Sequence, residues 1–220
     1  MIEFTRPTFN KAINTALTIE KKDFVSKFEL VRLGTIANVA AGNSAPQDNA
    51  FFSNGTYPFF RVSDVAKYHL TKDLTECADY LNEQGIKGLR LFPKGTILFP
   101  KSGASTYKDH RAILGVDGYV VSHLATINVI SEDAILTPYL YEVLTLIKAQ
   151  EIKPNSGYPS LNASDLENVK IPIPPMDIQQ QIVAECQKVD EEYNTSRMSV
   201  EDYRKKIAQV FENLQVVGEG

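Results

Sequence analysis

Residues 101–111 read KSGASTYKDHR. The cations Lys101, Lys108 and Arg111 bracket the hydroxyls of Ser102, Ser105 and Thr106, the ring of Tyr107 and the imidazole of His110. That set suits a polyanion. Lysine and arginine grip phosphate oxygens, hydroxyls and main-chain N–H groups fix position, and a tyrosine packs on a sugar or base. Gly103 permits close approach of a backbone. Two more stretches carry related chemistry. Asn43, Ser44, Gln47, Asp48 and Asn49 lie in a turn-rich segment, and Arg61, Ser63, Asp64 and Lys67 lie in FFRVSDVAKYH. Their amides, guanidinium and hydroxyls match the donor and acceptor edges of bases. The first stretch can equally be plain turn chemistry, and Arg61 with Asp64 can equally be a local ion pair. Asn155, Ser156 and Tyr158 in NSGYP form a fourth candidate loop.

Chemistry performed by the chain itself is harder to find. GTILFPKS, from Gly95 to Ser102, nearly matches a phosphate-binding loop. Pro100 stands where the second glycine belongs and removes an N–H from the cradle, and the run precedes a strand instead of joining strand to helix. His69, His110 and His123 lack metal-ligand spacing. No nucleophile elbow, dinucleotide fingerprint or Asn-Pro-Pro-aromatic tetrad is present. No cofactor, metal site or catalytic residue is therefore assigned.

The 220 residues carry a formal net charge of −4, which argues against indiscriminate coating of nucleic acid. The charge is unevenly placed. From Gly85 to Arg111 stand Lys87, Arg90, Lys94, Lys101, Lys108 and Arg111 against Asp109 alone, whereas the stretch from Met176 onward is net acidic. One basic zone on an acidic chain implies a single face for a polyanion, a solvated lysine surface being the alternative. The hydrophobic fraction of 43% is that of an ordinary soluble domain. No apolar run is long enough to cross a membrane, and residues 1–23 lack the apolar core of a secretory signal. Cys77 and Cys186 show no pairing or metal spacing, which fits a reducing, cytoplasmic compartment.

Three regions must position these groups. Residues 1–27 form an arm without strong pattern. Residues 28–175 form one mixed α+β domain with a mostly β, twisted core and flanking helices. FELVRLGTIANV predicts a strand and a short helical turn, FFRVSDV a strand, and GTILFP a buried strand. Asp117-Gly118 predicts a hairpin turn inside RAILGVDGYVVSHLATINVI. Thr137-Pro138 predicts an N-cap with proline at the first helical position, ahead of a helix burying Leu140, Val143, Leu144 and Ile147.

Residues 176–217 form the third region. Pro172, Pro174 and Pro175 stiffen its entrance, and Asp177 with Gln180 has capping-box spacing. Ile182, Cys186, Val189, Tyr193, Ser196, Val200, Tyr203, Ile207, Val210, Leu214 and Val217 then recur at steps of four and three. This heptad stripe predicts one coiled-coil helix of about forty residues, on the order of 60 Å long. Its apolar members are the expected helix-pairing residues, and the overhang must meet a helix from a second chain or a further segment. The alternative is a hairpin folded near Thr195-Ser196.

FELVRLGTIANVAAG, then LFPKGTILFPKSGAST, then YPSLNASDLENVKIPIPPMDIQQQIV resemble, in that order, the specificity subunit of Type I restriction-modification enzymes. The resemblance spans about residues 28–215, and IPIPPMDIQQQIV is its strongest piece. It implies a target-recognition domain that reads a half-site in double-stranded DNA, with long helices setting the gap between two half-sites. It also implies methyltransferase subunits and a restriction subunit as partners, a homodimer or second recognition half joined through the C-terminal helix, and no membrane. On this reading Lys101, Lys108 and Arg111 are the phosphate candidates. Ser102, Ser105, Thr106, Tyr107, His110, Asn43, Gln47, Arg61, Ser63 and Lys67 are the other DNA-binding candidates. A coiled-coil adaptor whose globular head binds protein or glycan is the competing reading. A nuclease acting alone is a third.

Overall fold

The computed structural model describes residues 26–68, 73–153, 160–196 and 199–216. In chain order its elements are β1 (Leu30–Arg32), α1 (Leu33–Ile36), β2 (Ala37–Ala41), β3 (Tyr57–Phe60), α2 (Val62–Tyr68), β4 (Asp73–Leu74), β5 (Asp79–Leu81) and β6 (Ile97–Pro100). There follow β7 (Ala112–Leu114), β8 (Tyr119–Val120), β9 (Leu124–Val129), α3 (Thr137–Leu146), α4 (Ala149–Ile152), α5 (Ala163–Glu167), β10 (Lys170–Pro172), α6 (Met176–Ser196) and α7 (Val200–Asn213). The 3₁₀ segments Asn49–Phe52 and Gly103–Lys108 lie in the connections. The domain is mixed α/β, as its sequence predicts.

A five-stranded sheet ordered β2-β9-β6-β7-β4 forms the centre. Both of its faces are covered, so β6 and β7 read as unbroken apolar runs instead of alternating ones. All four residues of β6 are buried. Ile97, Phe99, Ile113, Ala125 and Ile127 face the helices, whereas Leu98, Ala112, Leu114 and Leu124 face a second cluster. That second cluster is closed by the three-stranded sheet β5-β3-β8, through Phe59, Phe60, Leu81 and Val120. Pairing of β6 with β7 on one side and β9 on the other commits its backbone to ladders. A phosphate cradle over Gly95–Ser102 is thereby ruled out.

β1 pairs antiparallel with β10, in register Val31↔Ile171, so the entrance and exit of the domain are clasped together. Ile173 N adds a bond of 2.9 Å to Glu29 O. Pro172 therefore ends an extended strand that pairs with the first described strand.

Local expectations shift in four places. FFRVSDV is strand only at Phe59 and Phe60, and Val62–Tyr68 is a helix. Asp64 starts it, its carboxylate accepting from Arg61 N at 2.7 Å, the reach-back half of a capping box. Asp117-Gly118 does not close a hairpin, because β7 and β8 lie in different sheets. Instead Asp117 accepts from Lys94 N at 2.7 Å, and a Cβ on Gly118 would come within 2.4 Å of the Phe60 ring. The cap of α3 is Leu136, not Thr137, whose hydroxyl bonds Glu132. The first turn of α6 closes from Gln179 N to Pro175 O, which places Asp177 inside the helix and not at its cap.

The largest correction concerns the C-terminal region. The single helix expected over 176–217 is instead two helices, α6 and α7, packed antiparallel on each other. Ser199 caps the second, accepting from Asp202 N at 3.1 Å. Across the pair, Tyr203 Oη donates to Asp190 at 2.6 Å, the Tyr193 and Tyr203 rings lie 5.3 Å apart, and Lys206 bonds Glu192 at 2.6 Å. Ile182, Cys186, Val189, Tyr203, Ile207 and Phe211 are buried in the same cluster as the sheet, with Tyr193, Val210 and Leu214 packed at its margin. Val200 opens α7, and Val217 lies outside the described residues. The stripe members whose side chains are described are thus covered within the chain. A short connection closes such a contact without the translational and rotational loss of recruiting a partner.

Gln179 docks this helical pair to the head. Its buried amide accepts from Leu136 N at 2.9 Å and donates to Ala134 O at 3.1 Å and Pro174 O at 3.0 Å.

Candidate functional site

Three of the four polar stretches singled out in the sequence converge on one five-residue segment, Val120–Leu124. Asn43 N donates to Val120 O at 2.6 Å and Gly42 N to Leu124 O at 3.0 Å, which anchors the first stretch. Val121 N donates to Phe60 O at 3.0 Å, immediately before Arg61. Lys101 N donates to His123 O at 3.0 Å, which anchors the third. The segment joins β8 to β9 and so bridges the two sheets, and a bond of 3.0 Å from Leu124 N to Val121 O closes its turn. Val120, Val121 and Leu124 are buried, whereas His123 is exposed.

Within those stretches, many candidate groups are engaged inside the protein. Arg111 is fully buried and cannot reach a phosphate. Its guanidinium donates to His110 O at 2.7 Å and Ile147 O at 2.9 Å and stacks 3.5 Å from the centre of the Phe99 ring. Burial pulls it down to about 10, so it stays charged at neutral pH, with Asp109 opposing the shift. Thr106, also fully buried, donates to Gly103 O at 2.7 Å, and Ser105 donates to Ser102 O at 3.0 Å. Both hydroxyls wind the 3₁₀ turn instead of facing a ligand. Burial lowers His110, helped by Arg204, Lys108 and Arg111.

Asn43 exchanges two bonds of 2.8 Å with the backbone of Arg90, locking the first stretch to the basic segment that follows β5. Gln47 donates to Ala45 O at 2.7 Å. Arg61 pairs with Asp79, not Asp64, and its guanidinium lies over the Phe52 and Phe59 rings. Ser63 and Lys67 are exposed on α2, and Tyr107 and Lys108 are exposed on the third stretch. Lys101 and Ser102 are half-buried at its root, Ser102 bridging to Ser160. Asn155, Ser156, Tyr158 and His69 lie outside the described residues.

The far end of the third stretch meets the helical pair. Arg204 of α7 donates to Lys108 O at 2.9 Å. A cleft of about 140 Å³ opens there, lined by Asp109, Tyr141, Lys148, Tyr203, Arg204 and Ile207 among others. Burial raises the Asp109 carboxyl against the pull of Arg111, Arg204 and Lys148. No cluster of three or more His, Cys, Asp or Glu able to hold a metal occurs among the described residues. Nor, among them, is any helix long and apolar enough to cross a membrane.

Sequence reasoning weighed His123 only as a metal ligand and did not name Ser122 or His123, at the tip of the shared segment, as DNA-binding candidates. A short polar interruption in an apolar run, VVSHLATI, was the available signal.

The family model for the Type I restriction modification DNA specificity domain matches residues 25–199. The chain is 32% identical over 167 residues to the Type I restriction enzyme MjaIX specificity subunit of Methanocaldococcus jannaschii, an alignment covering 72% of this chain and 37% of that protein. A solved structure bearing on complex assembly and conformational transition of the type I R-M system superposes with a TM-score of 0.61 at 17% identity, covering 95% of this chain and 50% of that one. The HsdS subunit from Thermoanaerobacter tengcongensis gives 0.57 at 18% identity, covering 93% and 51%. These two share the fold. The chain thus spans about half of each solved relative and little more than a third of the archaeal subunit.

Proposed function

The chain belongs to the family of Type I restriction modification DNA specificity domains, and from that premise we propose that it is a DNA-reading component of a Type I restriction-modification complex. Residues 28–175 read a short half-site in double-stranded DNA. The observation that carries this reading is the convergence of three polar stretches on Val120–Leu124. Of the DNA-binding candidates, we assign phosphate contact to Lys101, Lys108, Lys67 and Ser63 and sugar or base contact to Tyr107 and Ser102, an assignment that their full or partial exposure supports. The chain performs no chemistry. Methylation and cleavage come from methyltransferase subunits and a restriction subunit, in the cytoplasm.

The helices over 176–213 act as the spacer. Their inner residues, from Ile182 to Leu214, hold the pair together. Their outward groove, with Glu185, Lys188, Gln209 and Asn213 along it, meets a second recognition half, either another copy or a further part of a longer chain. Joining two weak heads at a fixed gap raises effective concentration without new contacts.

Selection from a random duplex pool, with the methyltransferase partner present, tests this reading. A bipartite motif whose binding weakens steeply with salt is expected. Absence of any enriched motif, or binding that ignores salt, would refute it.

A further inference from the structure

We propose that His123, with Ser122 beside it, reads a base edge and so sets part of the sequence preference of this head. The inference rests on the DNA-reading function and names the group that does the reading. The Val121–Leu124 turn is held from every side by backbone bonds: to the first stretch at Val120, to Phe60 at Val121 and to Lys101 at His123. Its flanks are buried in the cluster between the two sheets. The main chain is therefore rigid where the side chains emerge, which is what a reading group requires.

Those side chains are also uncommitted. Neither Ser122, His123 nor Lys101 has a side-chain hydrogen bond or ion pair among the described residues. Arg111, Thr106, Ser105, Asn43 and Gln47 all do. A neutral imidazole offers one donor and one acceptor, and a serine hydroxyl offers both. In the major groove, a donor meets guanine O6 or a purine N7, and an acceptor meets adenine N6 or cytosine N4. Lys101, whose backbone is tied to His123, supplies the adjacent cation for a phosphate.

The test repeats selection from a random duplex pool with the full chain and its methyltransferase partner, using the unmodified chain, His123→Ala, His123→Asn and Ser122→Ala. In His123→Ala, one position of the motif should lose about tenfold of its discrimination, with affinity for unrelated duplex kept within about twofold because the phosphate contacts remain. His123→Asn should shift the preferred base at that position toward adenine. If the unmodified chain yields a motif that all three variants reproduce, the inference fails and the DNA-reading function stands. Equal weakening at every position, with the fold intact by circular dichroism, also overturns it, since His123 would then only position the head. No motif from the unmodified chain would sink the parent function and this inference together.

Discussion

The 101–111 loop and the Val120–Leu124 turn touch at Lys101 and His123, yet they use their polar groups in opposite ways. The loop turns several of its polar side chains inward. Thr106 and Ser105 satisfy the carbonyls of Gly103 and Ser102, and Arg111 satisfies those of His110 and Ile147. The turn relies on backbone groups of its neighbours and leaves Ser122 and His123 available. An irregular segment has no ladder, so its buried carbonyls need local side-chain donors. A segment wedged between two strands draws those partners from adjoining main chain. A stretch dense in polar residues therefore marks a difficult loop as readily as a binding surface.

Breaking the loop should cost most. Arg111→Ala removes a buried cation, two carbonyl partners and the stack on Phe99, and should destabilise the chain by about 3–4 kcal/mol in urea unfolding. A loss below about 1 kcal/mol, within the range of surface substitutions and minor contacts, would show that the loop does not depend on its interior arginine. Gln179→Ala applies the same logic to the helical pair. Three backbone groups, one of them buried, lose their side-chain partner, and about 2 kcal/mol should go. Ser199→Ala removes a cap outside the core, and the expected cost is about 1 kcal/mol by thermal melting.

Asp109→Asn sharpens the contrast through pH. Burial raises this carboxyl in the folded state, so the native protein holds the proton more tightly than the unfolded chain. The burial penalty is complete above the folded pKa and absent below the unfolded one. The variant should gain less than ~1 kcal/mol at neutral pH, and the gain should fade as pH drops toward about 4. Asparagine also suits the left-handed backbone there, at φ +50. Destabilisation at neutral pH would mean that attraction to Arg111 outweighs burial. The smallest effect belongs to the turn, where Ser122→Ala and His123→Ala should leave unfolding free energy within ~0.5 kcal/mol.

Much of this architecture was legible in advance. The buried strand GTILFP, the opening strand with its helical turn and the helix from Thr137 follow from apolar runs, β-branched residues and proline placement. The site was legible only as regions. Tyr107 and Lys108 stand exposed, but Arg111 is a core residue, because a guanidinium followed by AIL was drawn inward with the strand it precedes. Arg61 has Asp79 as its partner, eighteen positions away, and no local pattern announces that pairing.

The stripe from Ile182 to Leu214 shows where the division falls. Its heptad phase is a property of the sequence, and it requires that those side chains meet another helix. Which helix it is depends on whether the chain stays straight or turns back between Ser196 and Ser199. Steps of three and four run through that junction unchanged, so a straight rod and a hairpin present the same period. Tertiary contacts decide the matter, with Tyr203 reaching Asp190 and Phe211 reaching Tyr139. In the same way, sequence supplied the polar stretches, but only the pairing of strands from two sheets brought them to one turn. Local composition records what a residue can bond, and the fold determines which bonds are already taken.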